Sequence, residues 1–192
     1  MLDFLVKIDH ALFFFINNGW SNEIVDSFFV GLTVMGEWTI VLVAIFILAA
    51  DGRKTLLRHL AIIFTFLAVG SVFNSKLKDW VDRPRPLLVF QNEIAQGTVH
   101  VNVLEWRGGR TVESFPSGHS MLAFFLMTYV GQFKRGYRPY VLALATGIAV
   151  SRVYVGSHFP LDCLAGAAIG AAWGLLAWVT HERLRRTVWR DP

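Results

Sequence analysis

The sequence predicts an all-α fold, a polytopic membrane helical bundle of about six helices, and three observations carry that expectation. Hydrophobic residues make up 54% of the 192-residue chain and its mean hydropathy is +0.47, above the roughly 45 to 50% apolar usage of soluble domains. The apolar residues run in stretches close to the roughly 20 that a membrane helix requires. Lys and Arg cluster at the ends of those stretches and supply much of the net charge of +4.

Residues 3–18 read as an amphipathic or partly inserted helix. Lys7, Asp9 and His10 interrupt its apolar run and no small-residue cleavage site follows, so the segment is expected to be retained rather than removed as a signal peptide. Residues 22–50 are apolar on both sides of Gly36-Glu37-Trp38, which fits one long kinked helix or two short helices folded back on each other. The clearest spans are 58–80, 138–155 and 161–180, with a shorter one at 118–133. In the last span Gly166, Gly170 and Gly174 recur every four residues, with Ala167, Ala168, Ala171 and Ala172 between them, a small-residue stripe that predicts close helix packing. No linker separates domains, so residues 1–192 are read as a single membrane-embedded unit.

The basic clusters Arg53-Lys54, Lys134-Arg135 with Arg138, and Arg183 with Arg185-Arg186 fall on one side if alternate helices cross the bilayer. The positive-inside rule makes that side cytoplasmic. This placement suits a membrane surface better than nucleic acid, so no nucleic-acid partner is expected. The polar stretch 81–117 and the junction 155–161 then emerge together on the extracytoplasmic side. Cys163 is the one cysteine, which excludes an intramolecular disulfide and a cysteine-based metal site.

Ionisable groups at a helix centre cost about 2.5 to 3.5 kcal/mol on insertion scales and usually have a function where they face a bundle interior. Here they gather in three places. Lys76 and Arg83 are seven residues apart, nearly two helical turns, so both project from one helix face before Pro84 and Pro86 end the helix. Ordinary snorkelling of interfacial cations is the plainer account of that pair. Ser114-Phe-Pro-Ser117-Gly118-His119 precedes the apolar run from Met121 and looks like a helix start. Its unpaired N–H groups and positive dipole end suit a phosphate, with His119 as a proton donor beside it; Ser117 as a simple N-cap is the alternative. Ser151-Arg152 leads to His158 and Asp162, which are four apart across the next helix start. The carboxylate can accept the imidazole N–H and leave the other nitrogen free to attack, or the two can form an interfacial capping pair.

Together these supply Lys76, Arg83 and Arg152 as cations, a helix N-terminus as an anion cradle, and two histidines with a carboxylate, the inventory that phosphoryl transfer requires. His119, His158 and Asp162 are also metal-ligand types, but three cations in the same pocket oppose a divalent ion, so no metal and no cofactor is expected.

Lys76 six residues before Arg83-Pro84, then Pro116-Ser117-Gly118-His119, then Ser151-Arg152 five residues before His158 and three more before Asp162, resemble the three-part signature of the type 2 phosphatidic acid phosphatase superfamily. The resemblance implies a lipid phosphatase in which His158 attacks phosphorus to give a phosphohistidine, Asp162 orients it, and His119 protonates the leaving oxygen and then activates water. It implies that Lys76, Arg83, Ser117, the Gly118 N–H and Arg152 hold the phosphoryl oxygens. The partners implied are a lipid phosphate substrate and membrane lipids. The compact chain resembles the small bacterial undecaprenyl-diphosphate phosphatases of the inner membrane, which implies an active site on the extracytoplasmic side. Phosphatidylglycerophosphate, phosphatidate and lipid A are the alternative substrates, and transfer to another lipid instead of water is an alternative outcome.

Head-group selection is expected in the connection from Leu87 to Glu113, which carries Glu93, His100, Glu105, Arg107 and Arg110, although most of those charges suit a solvated face. Vanadium-dependent haloperoxidases share a similar constellation but are soluble, whereas this chain is mostly membrane span. A lipid-phosphate carrier whose histidines only hydrogen-bond the head group is the non-enzymatic rival.

Overall fold

The structure, a computed structural model, describes residues 2–104 and 112–189. The chain starts with α1 (Leu2–Gly19) and α2 (Glu23–Val34), the latter capped by Asn22, whose side chain accepts the N–H groups of Ile24 and Val25. A π-helical turn at Met35–Thr39 then breaks the chain before α3 (Ile40–Ala49). Glu37 leaves the helical region entirely (φ −87°, ψ −130°), and the two flanking helices are bent by 65°. Residues 22–50 are thus two helices about a break.

Next come the 29-residue α4 (Arg53–Val81), two short helices α5 (Pro86–Val89) and α6 (Gln91–Ala95), α7 (Gly118–Phe133), α8 (Arg138–Tyr154) and α9 (Pro160–Thr187). At 1.5 Å per residue α4 is about 43 Å long, more than the roughly 30 Å hydrocarbon core of a bilayer. The segment Arg53–Ala95, which contains α4, and α9 are each long and apolar enough to cross a membrane, and the bent α2–α3 pair adds a third candidate span. With α1, α7 and α8 these form the expected all-helical bundle. Phe46 and Ile24 are more than four-fifths exposed, so apolar side chains cover its outside, as lipid contact requires.

The core lies around α7, which is buried by α9 on one side and by α3 and α8 on the other. The small-residue stripe explains the α7–α9 contact. A Cβ added to Gly166, Gly170 or Gly174 would fall 2.4, 2.2 or 2.6 Å from the carbonyl oxygens of Ser117, Met121 and Phe125, respectively. Each glycine therefore lets backbone meet backbone, one rung per helical turn. At one end of this seam the Tyr129 hydroxyl lies 2.9 Å from both His59 Nδ1 and His181 Nδ1, joining α7 to α4 and α9 through a buried polar network. The basic clusters converge at this same end, where Lys134 pairs with Asp51 and the Arg58 guanidinium stands 5.7 Å over the Trp189 ring.

The seam predicts a graded response. Gly170→Ala should destabilise the detergent-solubilised protein by about 2 kcal/mol, the usual scale of core overpacking, and Gly170→Leu should do so further. Thermal unfolding followed by tryptophan fluorescence checks this, with Gly31→Ala, where nothing lies within 4 Å of the added Cβ, as the comparison that carries the helix-propensity gain of alanine without overpacking.

Candidate active site

At the opposite end of the bundle three junctions meet: the end of α4, the start of α7 and the turn from α8 to α9. Asp162 joins them. It is the third residue of α9, which begins with Pro160, a residue suited to a first helical turn because its missing N–H is not needed there. Its Oδ2 accepts the Phe159 N–H at 2.9 Å and the Ser114 hydroxyl at 2.6 Å, and its Oδ1 accepts from the Arg83 guanidinium at 2.6 Å. Its backbone carbonyl accepts the Ser117 N–H at 3.0 Å. The carboxylate has no exposed surface, and these bonds are what make its burial tolerable.

His158 is 2% exposed and its backbone N–H bonds the Arg152 carbonyl at 3.2 Å. Its Nδ1 lies 3.9 Å from Asp162 Oδ2, within ion-pair range but beyond a direct hydrogen bond. The Ser114 hydroxyl stands between, 3.5 Å from Nδ1. The direct His158–Asp162 hydrogen bond expected from the spacing is thus replaced by a relay, because Ser114 and the Phe159 N–H take up Asp162 Oδ2. Nε2 is the nitrogen turned away from Ser114 and Asp162. Burial pushes the His158 imidazole down to about 4, opposed by the neighbouring Asp162 carboxylate and reinforced by Arg85 and Arg152. It is therefore a neutral base at neutral pH.

Arg152, in the last turn of α8, is 4% exposed and bonds the Thr33 hydroxyl at 3.4 Å; Thr33 in turn lies 2.8 Å from the Ser151 hydroxyl. Arg83 bonds Asp9 as well as Asp162, both at 2.6 Å, and its guanidinium carbon lies 4.5 Å over the Phe159 ring. Ser117 caps α7, accepting the Ser120 N–H and hydroxyl at 3.5 and 3.1 Å, so the plain N-cap role is filled while the Gly118 N–H stays at the helix start. His119 follows on the first turn of α7. Lys76 is exposed on α4 and stands outside this bonded set.

A groove of about 580 Å³ opens beside His119 between α4, α7 and α9. Phe64, Leu67, Leu122, Phe125 and Trp173 give it apolar walls, and Glu37, Ser71, Asn74 and His119 form its polar part.

Five residues beyond the sequence expectation shape this end of the bundle. Asp9, 1% exposed, bonds Arg83 and accepts the Leu161 N–H at 2.8 Å. Arg85, 5% exposed, donates to the Val112 and Ser157 carbonyls at 2.9 and 3.0 Å. Thr33 and Ser114 act through Arg152 and Asp162. Asn74 places its amide against Gly118, 3.4 Å from where a Cβ would be. An acid inside an apolar run was the available signal for Asp9. In the connection from Leu87 to Glu113, Glu93 and His100 are exposed, while Glu105, Arg107 and Arg110 lie outside the described residues. Among the described residues no group of three or more His, Cys, Asp or Glu side chains is arranged to hold a metal ion.

The family description PAP2 superfamily matches residues 58–186, which takes in every one of the three clusters. The chain belongs to the PAP2 superfamily. Among its PAP2 relatives, phosphatidylglycerophosphatase B of Bacillus subtilis is 29% identical over 185 residues, 89% of this chain and 80% of that protein. The lipid A 1-phosphatase of Rhizobium etli is 32% identical over 124 residues, 64% of this chain, and the match spans 50% of that longer protein. The crystal structure of LpxE from Aquifex aeolicus superposes with a TM-score of 0.68 at 27% identity, covering 87% of this chain and 92% of that one. This chain is accordingly a multi-pass membrane protein of PAP2 architecture.

Asp9 ties α1 to the site, so Asp9→Ala should lower stability by about 2 kcal/mol, the scale of a hydrogen bond to a charged group. Thermal unfolding of the purified protein measures this, and an unchanged midpoint would show that the bonds to Arg83 and Leu161 contribute nothing net.

Proposed function

We propose that this PAP2 protein is a metal-independent lipid phosphatase that works through a phosphohistidine on His158. The observation that carries the reading is that His158, Asp162 and Arg152 are bonded together against Ser117, the cap of α7, while the next two residues of that helix, Gly118 and His119, line an apolar groove. A phosphorylated lipid has this shape, an anionic head on a long apolar tail.

In the first step His158 Nε2 gives its electron pair to phosphorus while the bond from phosphorus to the lipid oxygen breaks, and that oxygen takes a proton from His119. In the second step a water oxygen bonds phosphorus, the P–N bond breaks with its electrons returning to Nε2, and the water proton passes to His119. The phosphoryl oxygens are held by Arg152, the Gly118 N–H, Ser117 and Lys76, and by those of the five Arg83 donors that its two carboxylate bonds leave over. Asp162 holds Arg83 and, through Ser114, His158.

Undecaprenyl diphosphate is the substrate we propose first, and phosphatidylglycerophosphate, phosphatidate and lipid A are the alternatives to rank against it. The gathering of the basic clusters at the far end supports an extracytoplasmic site in a bacterial inner membrane. Phosphate release from a panel of these four lipids, with EDTA present, tests the whole reading. Release should persist in EDTA; loss in EDTA would overturn the metal-free mechanism. His158→Ala should retain substrate binding and lose turnover by at least about a thousandfold, as removal of a nucleophile does.

A pH profile adds a second check. A nucleophile must be unprotonated, and burial lowers the His158 pKa to about 4. The acid limb of kcat/KM should therefore fall only as pH approaches that value, well below the ordinary histidine range near 6.5. An acid limb centred in that ordinary range would contradict the burial of His158.

A further inference from the structure

His158 has a carboxylate behind it, and His119 also has one nearby. The break between α2 and α3 supplies the second. Glu37 Oε1 lies 4.0 Å from His119 Nε2, although the two residues are 82 positions apart. Glu37 is the residue at which the π-helical turn departs from helical geometry, and such interruptions are often found at functional sites. Gly36 shows that the approach is built in. A Cβ there would fall 3.1 Å from His119 Cδ2 and 2.6 Å from Ile148 Cγ2, so a larger residue would hold the break away from the imidazole. The break thus runs along the Cδ2–Nε2 edge of the ring. Both side chains line the apolar groove and are about one-quarter exposed, at 28% and 26%, where a charge pair is screened less than in open water.

We propose that Glu37 is a positioning residue for His119: its carboxylate, at ion-pair distance from Nε2, turns that nitrogen toward itself, so that Nδ1 carries the proton exchanged with the leaving oxygen and then with water. The need for it is electrostatic. A protonated His119 stands on the first turn of α7, where the helix dipole opposes a positive charge. Glu37 offsets that repulsion when the imidazole is charged and fixes the ring when it is neutral. This inference rests on the phosphohistidine reading above.

The test uses Glu37→Gln, which keeps the shape and removes the charge, with p-nitrophenyl phosphate as the probe. p-Nitrophenolate leaves without needing a proton, so the first step should proceed, whereas hydrolysis of the phosphohistidine still needs His119 as base. The expected result is a p-nitrophenol burst equal to the concentration of enzyme, followed by steady turnover about tenfold or more below wild type, the lower end of general acid–base contributions. The burst counts correctly folded sites, so a misfolded variant is recognised directly. A steady rate equal to wild type overturns the proposal, and so does a burst that shrinks in proportion to the rate, which is the mark of a purely structural role. Failure of the parent reading shows separately, as a wild-type protein that forms no acid-labile phosphoenzyme or a His158→Ala variant that still gives the burst.

Discussion

The buried carboxylate of Asp162 is the constraint on which this end of the molecule depends. A fully buried charge is tolerable only if its oxygens are bonded and a counter-charge is near. Arg83, Ser114 and the Phe159 N–H meet that demand, and each comes from a different stretch of chain. Satisfying one carboxylate therefore fixes the end of α4, the approach to α7 and the start of α9 relative to one another. Asp9 extends the constraint to α1, because the same Arg83 guanidinium bonds it at 2.6 Å. The N-terminal helix is in consequence part of the site's frame, although it carries none of the signature residues.

The second constraint is the α7–α9 seam. Gly166, Gly170 and Gly174 bring α9 onto the carbonyls of Ser117, Met121 and Phe125, and the first of these rungs lies within the site itself. His119 is the second residue of one helix of this pair and His158 lies two residues before the other, so the seam sets the separation of the two imidazoles. Between helices in lipid the packing of small residues and interhelical hydrogen bonds must supply what the hydrophobic effect supplies in water. The Tyr129 bonds to His59 and His181 at the far end close the seam there, so α7 is clamped at both ends and along its length.

Much of this was legible in the sequence because it is periodic or local. The spans at 118–133 and 138–155 match α7 and α8 to within a residue, and the glycine stripe packs as its spacing foretells. α4 and α9 run several residues past the apolar spans 58–80 and 161–180 at their basic ends, since charged residues at a membrane interface are still good helix formers. His158, Asp162, Arg152 and Arg83 converge from the stretches that the signature singles out. What the sequence does not disclose is contact between segments that share no motif. Asp9 and Glu37 read as interruptions of apolar runs, and nothing in their spacing says that one bonds Arg83 and the other faces His119. The Ser114 relay is hidden for a different reason: a four-residue spacing places His158 and Asp162 near each other but does not say which donor takes the shared oxygen.

The bend between α2 and α3 follows from the same requirements. A continuous apolar helix over residues 23–49 would satisfy all its backbone groups internally, which is the cheapest way to cross a bilayer. Irregular backbone at membrane depth survives only where protein or a polar cavity covers it. Here the break lies against His119 and Ile148 and lines the groove with Gly36 and Glu37. Straightening it would withdraw the carboxylate from the imidazole, and a side chain in place of Gly36 would collide with that same ring. The least regular turn of the N-terminal half thus lies where the apolar groove meets His119, and it brings a carboxylate to a wall that is otherwise largely apolar.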